Sequence, residues 1–369
     1  MGKPATQEYI AKMLGISRAT VAEILGGRNA HRYNEKTREL VIATAQKMGY
    51  RPNRHAQVLG GRGSRVIGVI KSVSYRQCNI DLVLHLGRAI HERGYDVIFG
   101  ELFLSKEIDK VVDLIHDLKV EGLILAHVHT NFAQKPPIQR LIRTGVPSIT
   151  VGGDPSGKGP CFSFDIGAAG REFTRVFRKA GYEKIFVIAR PDWNRPEEAN
   201  SCSARMIDGF LKAALDEGYA RESIAVCEFN AETMQNPMRG AEVIERLLGR
   251  CNLKNSVVVF ESDIHATSAM FACHQRGISI PDEVGIIGLD GTDAGAIAWP
   301  PLTSLRLPVR EMATAAVDAL FTAITEKKPL EERMVLFPCQ PIFRQSLRPV
   351  HDHLLNQNSG GCRHHSIIG

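Results

Sequence analysis

The sequence predicts a small, basic, all-α head followed by a larger α/β body with parallel sheets. Three observations carry this reading. Residues 6–26 set apolar side chains at helical spacing on either side of a glycine. Positive charge gathers at the amino-terminal end: residues 1–65 hold twelve Lys and Arg against four Glu, a net of +8 in a chain whose overall charge is +6. From Arg65 onward, short runs that are apolar on both faces alternate with helical stretches. At 369 residues the chain exceeds one small domain and suits about two or three.

In the head, Ile10, Ala11 and Leu14 form one apolar face, and Gly15 permits the backbone angles of a tight turn. Ile16 is expected between two helices, and Ser17 is suited to cap the second. Val21, Ile24 and Leu25 give that helix its buried stripe, which leaves Arg18, Ala19, Ala22 and Glu23 facing outward. Two short helices joined this way can set one helix in the DNA major groove. Charge confined to one end suits a phosphate-binding head on a near-neutral body. A plain helical hairpin is the alternative on this segment alone. Asn34 caps a third predicted helix over 35–48, with Val41, Ala45 and Met48 on one face and Gly49 at its end. Residues 50–59 read as one or two helical turns, and Gly60-Gly-Arg-Gly-Ser64 as a flexible connector.

In the body, the runs at 65–70, 97–99, 122–125, 148–151, 185–188, 257–260 and 284–288 read as strands. Between them lie predicted helices at 81–93, 106–118, 167–180, 204–217, 239–248 and 264–276. Such sheets bind ligands beyond the carboxyl ends of their strands.

Several functional classes find no support. The amino-terminal end has no apolar run of signal-peptide length, and no stretch approaches the roughly 20 residues that span a bilayer. The eight cysteines are scattered with no Cys-x-x-Cys pair, which suits reduced thiols in a cytoplasm. The His127/His129, His351/His353 and His364/His365 pairs lack a cysteine or carboxylate at ligand spacing, so no metal site is expected. There is no P-loop lysine motif, no Gly-x-Ser-x-Gly elbow and no His-Glu-x-x-His, so neither an enzyme nor a cofactor is expected.

Over roughly residues 6–348 the chain resembles the lactose-repressor/galactose-repressor (LacI/GalR) family of bacterial transcription factors. The markers are Ile10-Ala-Lys-Met-Leu-Gly-Ile-Ser-Arg-Ala-Thr-Val21, Thr37-Arg38, Met48-Gly-Tyr-Arg-Pro-Asn53 and Leu59. They continue with Val66-Ile-Gly68, Glu121-Gly-Leu-Ile124, Asp165 with Ala168-Ala-Gly170, and Arg205 with Gly209-Phe210. Ser262-Asp263, Ile280-Pro-Asp282, Gly288-Leu-Asp290 and Pro300-Pro-Leu-Thr303 complete the series.

The resemblance implies a helix-turn-helix head over 1–50, a hinge helix and linker over 51–65, and an effector-binding body of the periplasmic-binding-protein type over 66–348. The body would comprise an N-lobe at about 66–164 and 296–327 and a C-lobe at about 165–295 and 330–348, with crossings near Asp165, Asp290 and Lys328. Residues 349–369 would form a disordered tail. The implied activity is that of a cytoplasmic homodimeric repressor. It would bind a pseudo-palindromic double-stranded operator and answer to a small polar effector, a sugar or sugar derivative. A solute-binding or sugar-modifying protein sharing only the body fold is the alternative.

The resemblance also implies site residues. Arg18 and Ala19 occupy positions that face base edges; Arg18 offers either a fork to guanine or a plain phosphate contact. Ser17 and Thr20 suit phosphate, and Arg28 and Asn53 are further DNA-contacting candidates. Glu23 stands where a base-reading side chain is common, and its carboxylate suits a cytosine amino group but repels phosphate. Ala22 and Gly26 replace residues that reach phosphate. Leu59 matches the leucine that wedges the minor groove, although Gln57 replaces the family's arginine two residues before it.

In the body, Arg205 and Asp290 match the positions that clamp the effector. Asp165, Ser262 and Asn79 are further effector candidates, while Asp263 is read as a helix cap. The loop 190–200 is longer than usual; its Trp193 either covers a sugar face or is an exposed lid residue. Trp299 is expected in core or interface rather than pocket.

Overall fold

In the computed structural model the described residues are 6–26, 30–50, 63–72, 76–102, 108–126, 135–152, 159–189, 202–228 and 236–350. The chain divides into two compact units, Met1–Ser64 and Arg65–Gly369.

Among the described residues the first unit has three α-helices, α1 (Gln7–Leu14), α2 (Arg18–Leu25) and α3 (Glu35–Lys47). Each starts where a short polar side chain takes an otherwise unpaired backbone donor. Thr6 accepts from the Tyr9 N–H at 3.2 Å, Ser17 from Thr20 at 3.0 Å and Asn34 from Thr37 at 2.8 Å. Gly15 ends α1 at φ 64°, a left-handed conformation that a side chain would strain. Ile10, Ala11, Val21, Ile24, Val41 and Ala45 form the core, with Leu14, Ile16, Leu25 and Met48 packed against it.

Among the described residues the second unit contains two six-stranded sheets. The N-lobe sheet runs β11-β5-β4-β3-β1-β2, all parallel. Its strands are β1 (Val66–Ser72), β2 (Asp96–Leu102), β3 (Gly122–Ala126), β4 (Ser148–Val151), β5 (Cys161–Asp165) and β11 (Met334–Pro338). The C-lobe sheet runs β12-β10-β9-β8-β6-β7, parallel except for the antiparallel edge strand β12. Its strands are β6 (Lys184–Ala189), β7 (Ile224–Glu228), β8 (Ser256–Val259), β9 (Val284–Gly288), β10 (Thr303–Arg306) and β12 (Gln340–Ile342).

Helices connect the strands: α4 (Gln77–Glu92), α5 (Ile108–Asp117) and α6 (Pro136–Ile142) in the N-lobe, then α7 (Ile166–Lys179), α8 (Cys202–Asp216), α9 (Arg239–Leu248), α10 (Asp263–Gln275) and the short α11 (Asp293–Ala296). Central strands buried on both faces, such as β3, β8 and β9, explain the continuous apolar runs. The long helix α12 (Val309–Glu326) packs on α4 and on β3, β4 and β5, and so belongs to the N-lobe.

The first crossing between sheets follows Asp165, because β5 lies in one sheet and β6 in the other. The other two depart from the expected positions. Residues 296–302 and β10 were expected in the N-lobe, but β10 pairs with β9 in the C-lobe. Residues 334–338 were expected in the C-lobe, but β11 pairs with β5 at the edge of the N-lobe sheet. The second crossing therefore falls between β10 and α12, and the third at Cys339 between β11 and β12.

Side-chain bonding explains why β10 is held where it is. Thr303 and Ser304 are fully buried. The Thr303 hydroxyl donates to the Arg344 carbonyl at 3.2 Å, and Ser304 donates to Asp263. β11, an edge strand that alternates between exposed and half-buried residues, lacks the apolar run that marks a central strand.

Candidate functional site

The head places α2 with Ser17 at its amino end and Arg18 and Ala19 exposed in its first turn. Thr20 lies one residue on, and its hydroxyl is 2.9 Å from that of Ser17. The backbone donors at this helix start, two hydroxyls and one guanidinium form a surface suited to phosphate and base edges. Glu23 and Ala22, expected to face outward, are half-buried instead. The reason for Glu23 is a partner ten residues on: the Tyr33 hydroxyl donates to its Oε2 at 2.7 Å. That bond raises the Tyr33 phenol above its ordinary pKa. Glu23 thus ties α2 to the segment before α3. Arg28, Asn53 and Leu59 lie outside the described residues.

In the body, polar groups collect at the carboxyl ends of β1, β8 and β9, where parallel sheets expose backbone and helix starts. From the C-lobe come Glu261, Ser262 and Asp263 after β8 and Asp290 after β9, all buried. Asp263 is the hub. Its Oδ2 accepts from the Thr292 N–H at 2.7 Å and the Thr292 hydroxyl at 2.8 Å, and its Oδ1 accepts from Ser304. Ser304 Oγ in turn accepts from the Gly291 N–H at 2.9 Å and the Asp290 N–H at 3.3 Å. Asp263, read from sequence as a helix cap, instead fastens the segment after β9 and the strand β10 to the start of α10.

Asp290 faces the N-lobe. Its Oδ1 accepts from Arg76 Nη2 at 2.8 Å, and the same nitrogen donates to the Leu289 carbonyl at 2.9 Å. Its Oδ2 accepts from the Asp263 N–H at 3.4 Å. The Asp290 side chain is 2% exposed and that of Arg76 30%. Burial pushes the Asp290 carboxyl above its ordinary pKa, and the Arg76 guanidinium opposes that push. Arg76 itself stays protonated, its pKa raised by Asp290 against the opposing effect of burial.

Arg76 immediately precedes α4, at the position where a capping side chain would sit, but its side chain makes no cap bond. Cys78 lies buried in the first turn of α4, and burial holds its thiol pKa well above the ordinary value. Its Sγ donates to Asn79 Oδ1 at 3.4 Å, which gives the half-buried Asn79 a local partner. Ser262 Oγ is buried and makes no hydrogen bond among the described residues.

The remaining sequence-predicted residues are placed unevenly. Asp165 ends β5 and caps α7, accepting from the Ala168 N–H at 3.5 Å. Arg205 lies in α8, but its side chain is outside the described residues, as is the whole of Trp193. Trp299 is 87% exposed, which removes it from the core. Sequence reasoning missed Arg76, whose position between an apolar strand and a helix was the one local signal. It also missed Arg239 and His265, which with Glu261 line a cavity of about 20 Å³, enough for one water, beside β6 and β8. Among the described residues no group of three His, Cys, Asp or Glu is placed to hold a metal, and no helix is long and apolar enough to cross a membrane.

Comparison with known proteins shows what this geometry is similar to. The periplasmic binding protein-like domain family matches residues 174–347. The chain is similar to the HTH-type transcriptional regulator DegA of Bacillus subtilis (strain 168), 26% identical over 353 residues that cover 92% of this chain and 97% of DegA. It is also similar to the HTH-type transcriptional regulator CelR of Thermobifida fusca, 25% identical, with 87% of this chain and 93% of CelR covered. In fold it matches the lac repressor dimer bound to operator and the anti-inducer ONPF, with a TM-score of 0.77, 22% identity, and coverage of 93% of this chain and 99% of that one. Among the described residues, a head of three capped helices precedes two crossed parallel-sheet lobes, and over most of its length the chain is similar to helix-turn-helix transcriptional regulators and, in fold, to the lac repressor.

Proposed function

We propose that the protein is a homodimeric repressor of the cytoplasm that reads a pseudo-palindromic operator and is controlled by a small polar effector, a sugar or sugar derivative, held between the lobes. The observation that carries the DNA half is the exposed start of α2, where Ser17, Arg18, Ala19 and Thr20 stand on a separately packed basic unit. Arg18 reads a base edge, Ser17 and Thr20 take phosphate, and Glu23 sets the pose of α2 through Tyr33. Arg28, Asn53 and Leu59 complete the DNA contacts on the strength of the resemblance alone.

In the cleft, the buried and unpaired Ser262 hydroxyl and the Asp290 carboxylate favour a hydroxylated ligand. Arg205, Asn79, Asp165 and Trp193 are its further partners. A structure of similar fold is described as a CelR–cellobiose complex, which supports a carbohydrate as the effector class. Self-association draws support from apolar side chains that the single chain leaves in water. These are Ile297 and Trp299, each 87% exposed, on the C-lobe, and Ile80 and Leu84 on α4 of the N-lobe. Effector binding that favours one lobe angle would then shift one N-lobe against its partner and reset the head spacing.

The test is a gel shift of the full-length protein against genomic fragments at increasing salt, with the Arg18→Ala variant beside it. Wild type should prefer one fragment class. Arg18→Ala should lose about 1–3 kcal/mol of that preference while keeping its non-specific affinity. Equal binding to every fragment at every salt concentration would overturn the reading.

A further inference from the structure

We propose that Arg76 is a positioning residue of the cleft: it is the N-lobe's hold on the C-lobe carboxylate Asp290, so a ligand reaches that carboxylate only by sharing or displacing an ion pair between the lobes. The ligand part of this statement rests on the effector reading above. The strap itself stands on geometry alone.

The two ends of the pair are anchored very differently. Asp290 is immobilised from its own side. Its backbone N–H is held by Ser304, its Oδ2 by the Asp263 N–H, and Asp263 is itself held by Thr292 and Ser304. Arg76 reaches it from the other lobe, across 214 positions of sequence. Behind Arg76, Leu82, Leu86, Ala89 and Ile90 bury α4 in the N-lobe core. The guanidinium therefore links an element of one sheet's lobe to a strand end of the other sheet.

Bonding capacity makes the link matter for a ligand. In the structure both carboxylate oxygens of Asp290 have partners, Oδ1 with Arg76 and Oδ2 with the Asp263 amide. The Oδ2 side is rigid, so a ligand hydroxyl aimed at Asp290 competes on the Oδ1 side. There it meets a charge-assisted bond, the stronger kind, to an almost fully buried acid. Withdrawing Arg76 without a replacement would leave that acid in low dielectric with no counter-charge. Ligand occupancy and lobe angle are thus coupled through this ion pair, with the Cys78 thiol of the same helix beside the same carboxylate.

The experiment follows amide hydrogen exchange in the full-length protein for wild type, Arg76→Gln, Asp290→Asn and the double variant, without DNA or added small molecule. Either single variant should raise exchange about tenfold in both segments, the first turns of α4 in one lobe and residues 286–292 in the other. The double variant should be no worse than the worse single one, because the pair is one interaction. Arg76→Lys should restore most of the protection. Exchange that rises only in the lobe carrying the substitution, or effects that add in the double variant, would overturn the proposal. If Arg76→Gln fails to fold, Arg76→Lys and Asp290→Glu keep the charges and change the reach. An N-lobe that exchanges as in wild type while Asp290→Glu loosens residues 286–292 would also overturn it. Since no readout involves an operator or an effector, failure here leaves the proposed function standing. Loss of operator preference likewise leaves the strap intact.

Discussion

The head and the C-lobe side of the cleft both depend on polar side chains at helix starts, but they spend them in opposite ways. In the head, Thr6, Ser17 and Asn34 are exposed residues that each satisfy one backbone donor above a core of six small or branched apolar residues. Beside the cleft, Asp263 and Asp290 are buried carboxylates, satisfied by donors from four separate stretches of chain. A surface cap contributes about 1 kcal/mol and involves nothing distant. A buried carboxylate is tolerated only when all its partners are in place, which makes the cleft a rigid and specific surface. Local capping is enough to shape a DNA-reading helix. A ligand cleft that has to report its occupancy requires long-range bonding.

The largest expected effect tests the buried half of that contrast. Asp263→Ala strands the Thr292 amide and hydroxyl and the Ser304 hydroxyl, and should lower the stability of the body by about 4 kcal/mol. The urea midpoint of the body transition reads it; a loss below about 1 kcal/mol would mean that these groups reach water and that the network is not the body's fastening. Next in size is the head's core. Ile10 is fully buried there, and Ile10→Ala should cost about 3 kcal/mol, read as faster exchange over 6–50 with the body's protection unchanged. If the body loosens in step, the two units do not fold independently.

The smallest effect concerns the exposed clamp between α9 and α10, where Arg276 donates to both oxygens of Glu245. That bonding holds the Glu245 carboxyl below its ordinary pKa. A carboxyl with a lowered folded pKa contributes stability above the ordinary carboxylate range and loses it as pH falls through the folded value. Arg276→Gln should therefore lower the urea midpoint slightly at neutral pH, and the difference from wild type should vanish in acid. A difference that persists in acid would assign the effect to packing of the arginine stem.

The turn at Gly15, the caps at Ser17 and Asn34 and the buried stripes of α1 and α2 were all legible in the sequence, because each depends on residues within one helical turn of one another. So were the central strands, whose burial on both faces forces an unbroken apolar run; Asp290 became a candidate only through the resemblance. Only the tertiary structure decided which sheet holds β10 and β11, since edge strands carry no apolar run and their allegiance depends on partners far along the chain. It alone turned Glu23 inward to Tyr33, made Asp263 a hub rather than a cap, and brought Arg76 to Asp290. The physical reason is range. Periodicity and capping are local and can be read one segment at a time, whereas the partner of a buried charge is whatever group the closed chain delivers to it.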